Sequence, residues 1–115
     1  MTFKQVDDLV ASIGLPYAYY QFTEETAAPC PFLCFYFTGS EDFAADNTNY
    51  QKIRPLIIEL YTDAKDFALE NRIEAALNGA GLVFMRDESW IDTQKMNMVS
   101  YTMPVIITEE EDTNA

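Results

Sequence analysis

The chain contains no histidine and only two cysteines, which removes much of the usual chemistry of an active site. Without histidine, the Ser-His-Asp and Cys-His arrangements of nucleophilic catalysis cannot be built. Cys30 and Cys34 would need two further Cys or His ligands to complete a structural zinc site, and the chain lacks them. In an extended strand their α-carbons would lie about 13 Å apart, beyond the reach of a disulfide. We therefore predict reduced, structural thiols.

Glycine is also scarce, at four residues. Gly79 and Gly81 follow a predicted helix rather than opening one, so they do not form a phosphate-binding loop. Carboxylates are abundant, but no pattern places two of them in an apolar pocket for acid/base work. We predict no enzyme, no cofactor and no metal centre. One alternative stays open, a Ca²⁺ site without EF-hand spacing, built from Glu41, Asp42, Asp46, Asn47 and Asn49.

Basic residues are few, 7 against 19 acidic ones, for a formal net charge of −12. This balance repels phosphate backbones and anionic lipids, so binding to the outside of DNA or to a membrane is not expected. A solvated acidic surface explains the charge, and so does an acidic wall along which nucleic acid slides without sticking. Asp7 and Asp8 stand where a signal peptide would be apolar, and no apolar run is long enough to span a bilayer. We expect a cytosolic protein.

What the chain has in quantity is apolar and aromatic residues. It is 115 residues long and 49% hydrophobic, with eight Phe and seven Tyr. This length and composition predict one domain with a sizeable core. We place that domain at residues 1–108 and an acidic, disordered tail at residues 109–115.

The first half of the chain predicts one helix and two strands. Thr2 and Gln5 form a capping box for a helix over Phe3–Ile13, which Gly14 ends. Strands are predicted at 17–22 and 32–38, and the second is apolar enough to be the central strand. A long loop or hairpin arm follows at 39–49, with a binding or assembly role as one explanation and disorder as the other.

The stretch from Leu56 to Ala80 predicts a strand followed by a helix. Leu56–Tyr61 alternates with period two, and Pro55 restricts the start of this strand to an edge or entry position. Asp63 is predicted to cap the helix. The 3.6-residue period gives a buried stripe and an opposite polar face. The stripe contains Leu69, Ile73, Ala76, Leu77 and Ala80, and the polar face contains Phe67, Glu70, Asn71 and Glu74.

Phe67 has two explanations: a frayed first turn that folds the ring over a loop, or a subunit contact. The candidate subunit-contact residues are Phe67, Glu70 and Glu74, with Phe43 from the long loop.

The last third of the chain predicts further strands. Leu82–Arg86 is a strand, Asp87–Ser89 a turn, and Trp90 an anchor. A closing strand covers 96–108, with a bulge or an edge position at Pro104. The fold class predicted is α+β, a mixed and mostly antiparallel sheet packed by two helices.

Several segments, in their order along nearly the whole chain, resemble a known family. They are Ala45–Tyr50, the strand Leu56–Tyr61, Thr62–Asp66, Glu70 with Ile73–Leu77, Glu88–Ile91, Lys95–Met96 and the strand around Tyr101. This order resembles the tail-terminator, or tail-completion and head-to-tail joining, proteins of long-tailed bacteriophages and prophages.

The resemblance implies a structural protein of the virion without catalysis. Members of the family assemble in the host cytoplasm as a ring, commonly hexameric, at the head-proximal end of the tail tube. Their partners are further copies of themselves, the tail tube protein and the head-completion or neck protein, and DNA passes through without specific binding. A negative lumen would let the duplex pass without stalling. Candidate lumen or loop residues are Glu41, Asp42, Asp46 and Glu88.

A second hypothesis needs no virion. The same composition fits a small acidic cytosolic binding or regulatory module without catalysis. Oligomeric state separates the two hypotheses, because the ring requires contacts between copies and the module does not.

Overall fold

The described part of the chain folds as two helices on one face of a mixed sheet. The structure is a computed structural model that describes residues 1–21, 29–39, 41–42 and 52–108, with the backbone alone at residues 41, 42 and 52. The element order is α1 Phe3–Ala11, β1 Tyr17–Tyr19, β2 Phe32–Phe37, β3 Glu41–Asp42, β4 Lys52–Thr62, α2 Phe67–Gly79, β5 Met85–Ile91 and β6 Met96–Ile107. The predicted α+β class is confirmed. The predicted tail at 109–115 lies outside the described residues.

The capping box predicted for α1 is present. The Thr2 hydroxyl accepts from the Gln5 backbone N–H at 3.1 Å, and the Gln5 side chain accepts from the Thr2 N–H at 2.9 Å. The helix ends at Ala11, two residues earlier than predicted, and Gly14 follows with φ of 89°. Val6 and Val10 face the core and are fully buried. Arg72 of α2 donates to the Ile13 carbonyl at 2.7 Å and holds this corner to the second helix.

The sheet is centred on β4, not on β2. The strand order is β1-β2-β4-β6-β5, with the short β3 pairing with β4. β1 and β2 are parallel, and the other pairs are antiparallel. The prediction of β2 as the central strand was wrong. β4 also contains an apolar run, and because it is longer than β2 it pairs with β2, β3 and β6. β3 places the start of the predicted hairpin arm beside Lys52 and Ile53.

The alternation of β6 is confirmed and fixes which face is the core. Val99, Tyr101, Met103, Val105 and Ile107 are all buried. The register places Tyr101 opposite Ile58 and Val99 opposite Leu60, so both strands send the same set of residues to one face. The helices cover that face, with one core cluster joining α1, α2, β2, β4 and β6. We call the opposite side of the sheet the outer face.

Pro55 does not start β4 but lies inside it, directly opposite Pro104 of β6. The Pro55 carbonyl accepts from the Thr38 N–H at 3.0 Å, so its backbone points away from β6. Pro55 and Pro104 therefore form a non-hydrogen-bonded pair. Since such a pair exchanges no N–H···O bonds, the two prolines remove no hydrogen bond from the β4–β6 ladder. β5 begins at Met85, opposite Thr102, and does not extend as far as Pro104. The absence of an N–H on Pro104 therefore removes no hydrogen bond to β5. The register is unbroken here, and Pro104 is a local edge rather than a bulge.

Helix α2 starts later than predicted. Its N-cap is Asp66, whose carboxylate accepts from the Leu69 N–H at 3.0 Å, so the assignment of Asp63 as the cap was wrong. Leu69, Ile73 and Leu77 of the predicted stripe are buried, while Ala80 lies past the helix end and is exposed.

The segment after α2 also differs from the prediction. Asp87–Ser89 continues β5 instead of forming a turn, and the turn lies at residues 92–95, where Lys95 has φ of 54°. Trp90 is 52% exposed and is not a buried anchor. The pairing of β5 with β6 overrides the local preference of the Asp-Glu-Ser sequence for a turn.

Neighbouring isoleucines of β4 test the assignment of the two sheet faces. Ile58 is fully buried on the core face, whereas Ile57 is half-buried on the outer face. Ile58→Ala is expected to lower the free energy of unfolding by about 3 kcal/mol, and Ile57→Ala by about 1 kcal/mol, because only the first leaves a cavity in the core. Urea unfolding of the two variants measures both. Equal losses would contradict the face assignment.

Candidate assembly surfaces

An ion-pair cluster of Lys65, Glu70, Arg86 and Glu88 joins the start of α2 to β5. Lys65 Nζ lies 2.9 Å from a carboxylate oxygen of Glu70 and 2.9 Å from each carboxylate oxygen of Glu88. The Arg86 guanidinium also pairs with Glu70 and lies 3.5 Å from Glu88. Two cations thus bridge one carboxylate on the helix and one on the edge strand. The cluster fixes how β5 sits against α2.

Tyr101 extends these contacts into the core. Its hydroxyl donates to Glu74 at 2.9 Å, and Arg86 Nε lies 3.5 Å from the same carboxylate. Burial, together with the hydrogen bond to Glu74, raises the pKa of Tyr101. The phenol therefore remains a donor at neutral pH and keeps its buried hydroxyl satisfied.

The placement of Glu70 on the exposed face of α2 was wrong. Glu70 is 2% exposed, although the helical period sets it beside Asn71 and away from the stripe. The reason is charge pairing with Lys65 and Arg86, because a buried carboxylate is stable only with close partners. In the single chain, Glu70 presents no surface to a neighbouring subunit.

The other predicted contact residues of α2 do reach the surface. Phe67 opens the helix and is 69% exposed, with Lys65 Nζ 4.7 Å from the centre of its ring. The Glu74 side chain is 28% exposed. Their role between subunits remains a prediction. Phe43, the fourth candidate, lies outside the described residues.

The candidate acidic residues are divided between two places. Glu41 and Asp42 lie on β3, at one end of the sheet, with their backbones paired to β4. Asp46 lies outside the described residues. Glu88 lies on β5, where Lys65 and Arg86 offset its charge. The structure therefore does not bring Glu88 together with Glu41 and Asp42.

Both lateral edges of the sheet expose large apolar side chains. At the β1 edge, Tyr19 and Tyr20 are 53% and 65% exposed. At the β5 edge, Val83, Met85 and Trp90 are 81%, 78% and 52% exposed. Among the described residues, β1 and β5 each pair on one side only. Exposed apolar residues beside such a strand are typical of contact surfaces. The sequence predicted that Val83 and Met85 lie in a strand but did not place that strand in the sheet. Sequence reasoning therefore missed that they are exposed at an edge.

The outer face carries a carboxylate in its middle. Glu59 of β4 accepts hydrogen bonds from the Tyr36 hydroxyl at 2.9 Å and from the Tyr61 hydroxyl at 2.7 Å. Burial and the hydrogen bond to Glu59 raise the pKa of Tyr36 to about 12 and also raise the pKa of Tyr61. Both hydroxyls therefore stay protonated and donate to Glu59 at neutral pH. The sequence signal for this site is the one acidic residue of the central strand, set between Ile58 and Leu60.

Within the described ranges, no group of His, Cys, Asp and Glu side chains is arranged to hold a metal ion. Cys30 and Cys34 form no disulfide, in agreement with the sequence prediction. Burial, with Asp63 nearby, raises the pKa of the Cys30 thiol. The two helices of the described part of the chain are both too short or too polar to cross a bilayer.

The architecture matches a solved structure despite low sequence identity. The matched chain belongs to the virion of a native gene transfer agent particle. The TM-score is 0.55 at 18% identity, and the match covers 86% of this chain and 83% of that chain. At this identity the likeness is one of fold. No protein-family model matches the sequence, and no curated protein matches it.

The ion-pair cluster makes the free energy of unfolding depend on pH through the carboxyl group of Glu88. The hydrogen bond from Lys65 is the main cause that lowers the pKa of Glu88. A carboxyl with a lowered folded pKa stabilises the fold above its unfolded pKa, and this contribution is lost as pH falls through the folded value. Glu88→Gln should therefore be less stable than the wild type at pH 7. The difference should begin to shrink as pH falls below about 4.3, the ordinary value for a glutamate, and should be gone at about pH 2, below the lowered folded value.

Urea unfolding at both pH values measures this difference. Asp92→Asn is the matched control, because Asp92 pairs with Lys95 at an exposed turn and should matter little at either pH. A deficit of Glu88→Gln that is the same at pH 7 and in acid would contradict the role given to the Lys65 pair.

Proposed function

We propose that this chain is a non-catalytic structural protein of a phage-like particle, and that it acts there as a ring-forming tail terminator. The observation that carries the proposal is the shared fold, which extends over 86% of this chain and 83% of a chain from a gene transfer agent virion. The order of segments that resembles tail-terminator proteins supports the same role. In this role the chain caps the head-proximal end of the tail tube and joins it to the head.

The two exposed sheet edges support a ring. They lie on opposite sides of the sheet and carry different residues, aromatic at β1 and mixed apolar at β5. A contact between two different surfaces of identical subunits is head-to-tail, and it closes into a ring when the rotation between copies allows. We infer that the β5 edge of one copy meets the β1 edge of the next, with Phe67 beside that contact. A hexamer is the ring size the resemblance implies.

The acidic loop residues belong to the same proposal. Glu41, Asp42 and Asp46, with Glu88, are proposed to face the bore, where a negative wall avoids lasting contacts with phosphates. Glu88 contributes least, since Lys65 and Arg86 offset its charge. The partners are the tail tube protein below and a head-completion or neck protein above. The ring forms in the host cytoplasm and remains in the virion.

Electron microscopy of particles made with and without this chain tests the role. Without it, we expect tails of uncontrolled length or tails that lack heads, because nothing stops tube growth or presents a docking surface. Particles with joined heads and tails of normal length in its absence would overturn the proposal.

A charge placed on the β5 edge tests the ring contact. Met85→Glu should prevent assembly while leaving the fold intact, because Met85 is 78% exposed and contributes little to the core. Ala75→Glu, an equal change at an exposed position of α2, is the control. Native mass spectrometry of the proteins assembled on tail tubes compares them. Equal assembly of both variants would show that β5 is not the contact edge.

A further inference from the structure

Glu59 occupies an unusual position, the middle of the outer face on the central strand. Its cross-strand neighbours are Cys34 on β2 and Ser100 on β6. The surrounding side chains of this face are mostly apolar or aromatic and half-buried, and they include Phe32, Tyr36, Ile57, Tyr61 and Met98. A carboxylate in such surroundings is costly unless a specific partner meets it.

The two tyrosines hold Glu59 in a fixed orientation. Tyr36 stacks on Tyr20 with ring centres 5.3 Å apart, and Tyr61 stacks on Phe32 at 4.9 Å, both with interplanar angles of 18°. Each hydroxyl bonds a different carboxylate oxygen. Since each carboxylate oxygen has two lone pairs, each retains one acceptor position for a further donor. The carboxylate is thus an acceptor that is already ordered.

The charge of Glu59 is not matched within the described part of the chain. The ion pairs formed there engage other carboxylates: Asp8, Glu70, Glu74, Glu88 and Asp92. In the same cross-strand row, beyond Ser100, lies a second carboxylate, Asp87 of β5. A hollow of about 360 Å³ lies beside Asp87 and Ser100 and is also lined by Met85, Arg86 and Thr102. The Arg86 guanidinium is paired with Glu70 of α2, so the carboxylates of Glu59 and Asp87 make this part of the outer face negative.

We propose that the outer face at Glu59 binds an arginine side chain presented by a different protein. A guanidinium donates several hydrogen bonds in a planar fork and also stacks on aromatic rings, which suits a carboxylate flanked by Tyr36 and Tyr61. Its aliphatic stem would pack on the apolar side chains around Glu59. This site does not depend on the proposed role in a tail.

A second copy of this chain is a poorer source of that arginine. The chain carries a net charge of −12, and its three arginines are directed to their own fold. Arg72 donates to Ile13, Arg86 pairs with Glu70, and Arg54 lies 5.8 Å from the centre of the Phe3 ring. The charge complement therefore comes from a basic partner.

Titration with N-acetyl-arginine amide, followed by NMR at 150 mM salt, tests the site directly. The expected chemical-shift changes concentrate at Tyr36, Glu59, Tyr61 and Ser100. N-acetyl-citrulline amide, which has the same shape without the charge, should bind about tenfold more weakly. Equal binding of the two probes, or shifts spread over the acidic surface, would overturn the proposal. This comparison uses the wild-type chain and needs no variant.

Two variants sharpen the test. Glu59→Gln should weaken arginine amide binding about tenfold, while Asp92→Asn, which removes one charge at an exposed turn, should change it less than twofold. Unfolding curves confirm that each variant is folded. Equal affinity of Glu59→Gln and the wild type would contradict the site. A change in oligomeric mass in Glu59→Gln would assign the face to a second copy and overturn the proposal of a basic partner.

Discussion

The antiparallel pairing of β4 with β6 is the constraint on which the rest of the structure depends. It runs from Lys52 opposite Ile107 to Thr62 opposite Asn97 without a break. Because side chains alternate between faces, this one register decides which residues reach the core and which reach the outer face. A slip of β4 by one residue against β6 would turn Ile58 outward and bring Glu59 inward. The facing prolines, Pro55 and Pro104, keep the register and limit how far β2 and β5 extend beside it.

The ion-pair cluster depends on that register and completes the core. Arg86 is placed opposite Tyr101 by the β5–β6 pairing, and this sets its guanidinium against Glu70 and Glu74 of α2. Loss of one partner from a buried pair costs about 3–5 kcal/mol. Lys65 and Arg86 are about a third exposed, so solvent lowers that figure here. The cluster holds β5 against the helix while leaving its outward edge free for another molecule.

Local patterns in the sequence predicted much of the fold. The capping box of α1, the buried stripe of α2 and the alternation of β6 each depend on residues close together in the chain. The capping box and the alternation were confirmed, and the stripe was confirmed at Leu69, Ile73 and Leu77. Apart from the helix cap, which is Asp66 and not Asp63, the main features that were wrong depend on distant residues. Glu70 looks exposed until Lys65 and Arg86 are brought to it, and Asp87–Ser89 looks like a turn until β6 pairs with it. Likewise, Pro55 reads as the start of a strand until Pro104 is placed opposite.

The same distinction applies to the candidate surfaces. Phe67 was identified from its helical position alone, because an aromatic residue among polar ones stands out locally. The exposed edge formed by Val83 and Met85 could not be identified, since it depends on which strand ends the sheet. The site at Glu59 requires the strand order as well, because Tyr36 reaches its carboxylate from β2, while Tyr61 lies two residues away on β4 itself.

The most direct measurement of the central claim is a cryo-electron microscopy map of the head-proximal end of the assembled tail. The account predicts a closed ring of copies of this chain, with the β5 edge of each copy against the β1 edge of the next. The bore of that ring should be negatively charged. A map that places the chain elsewhere in the particle, or that shows it there as single copies with both sheet edges uncovered, would contradict the account.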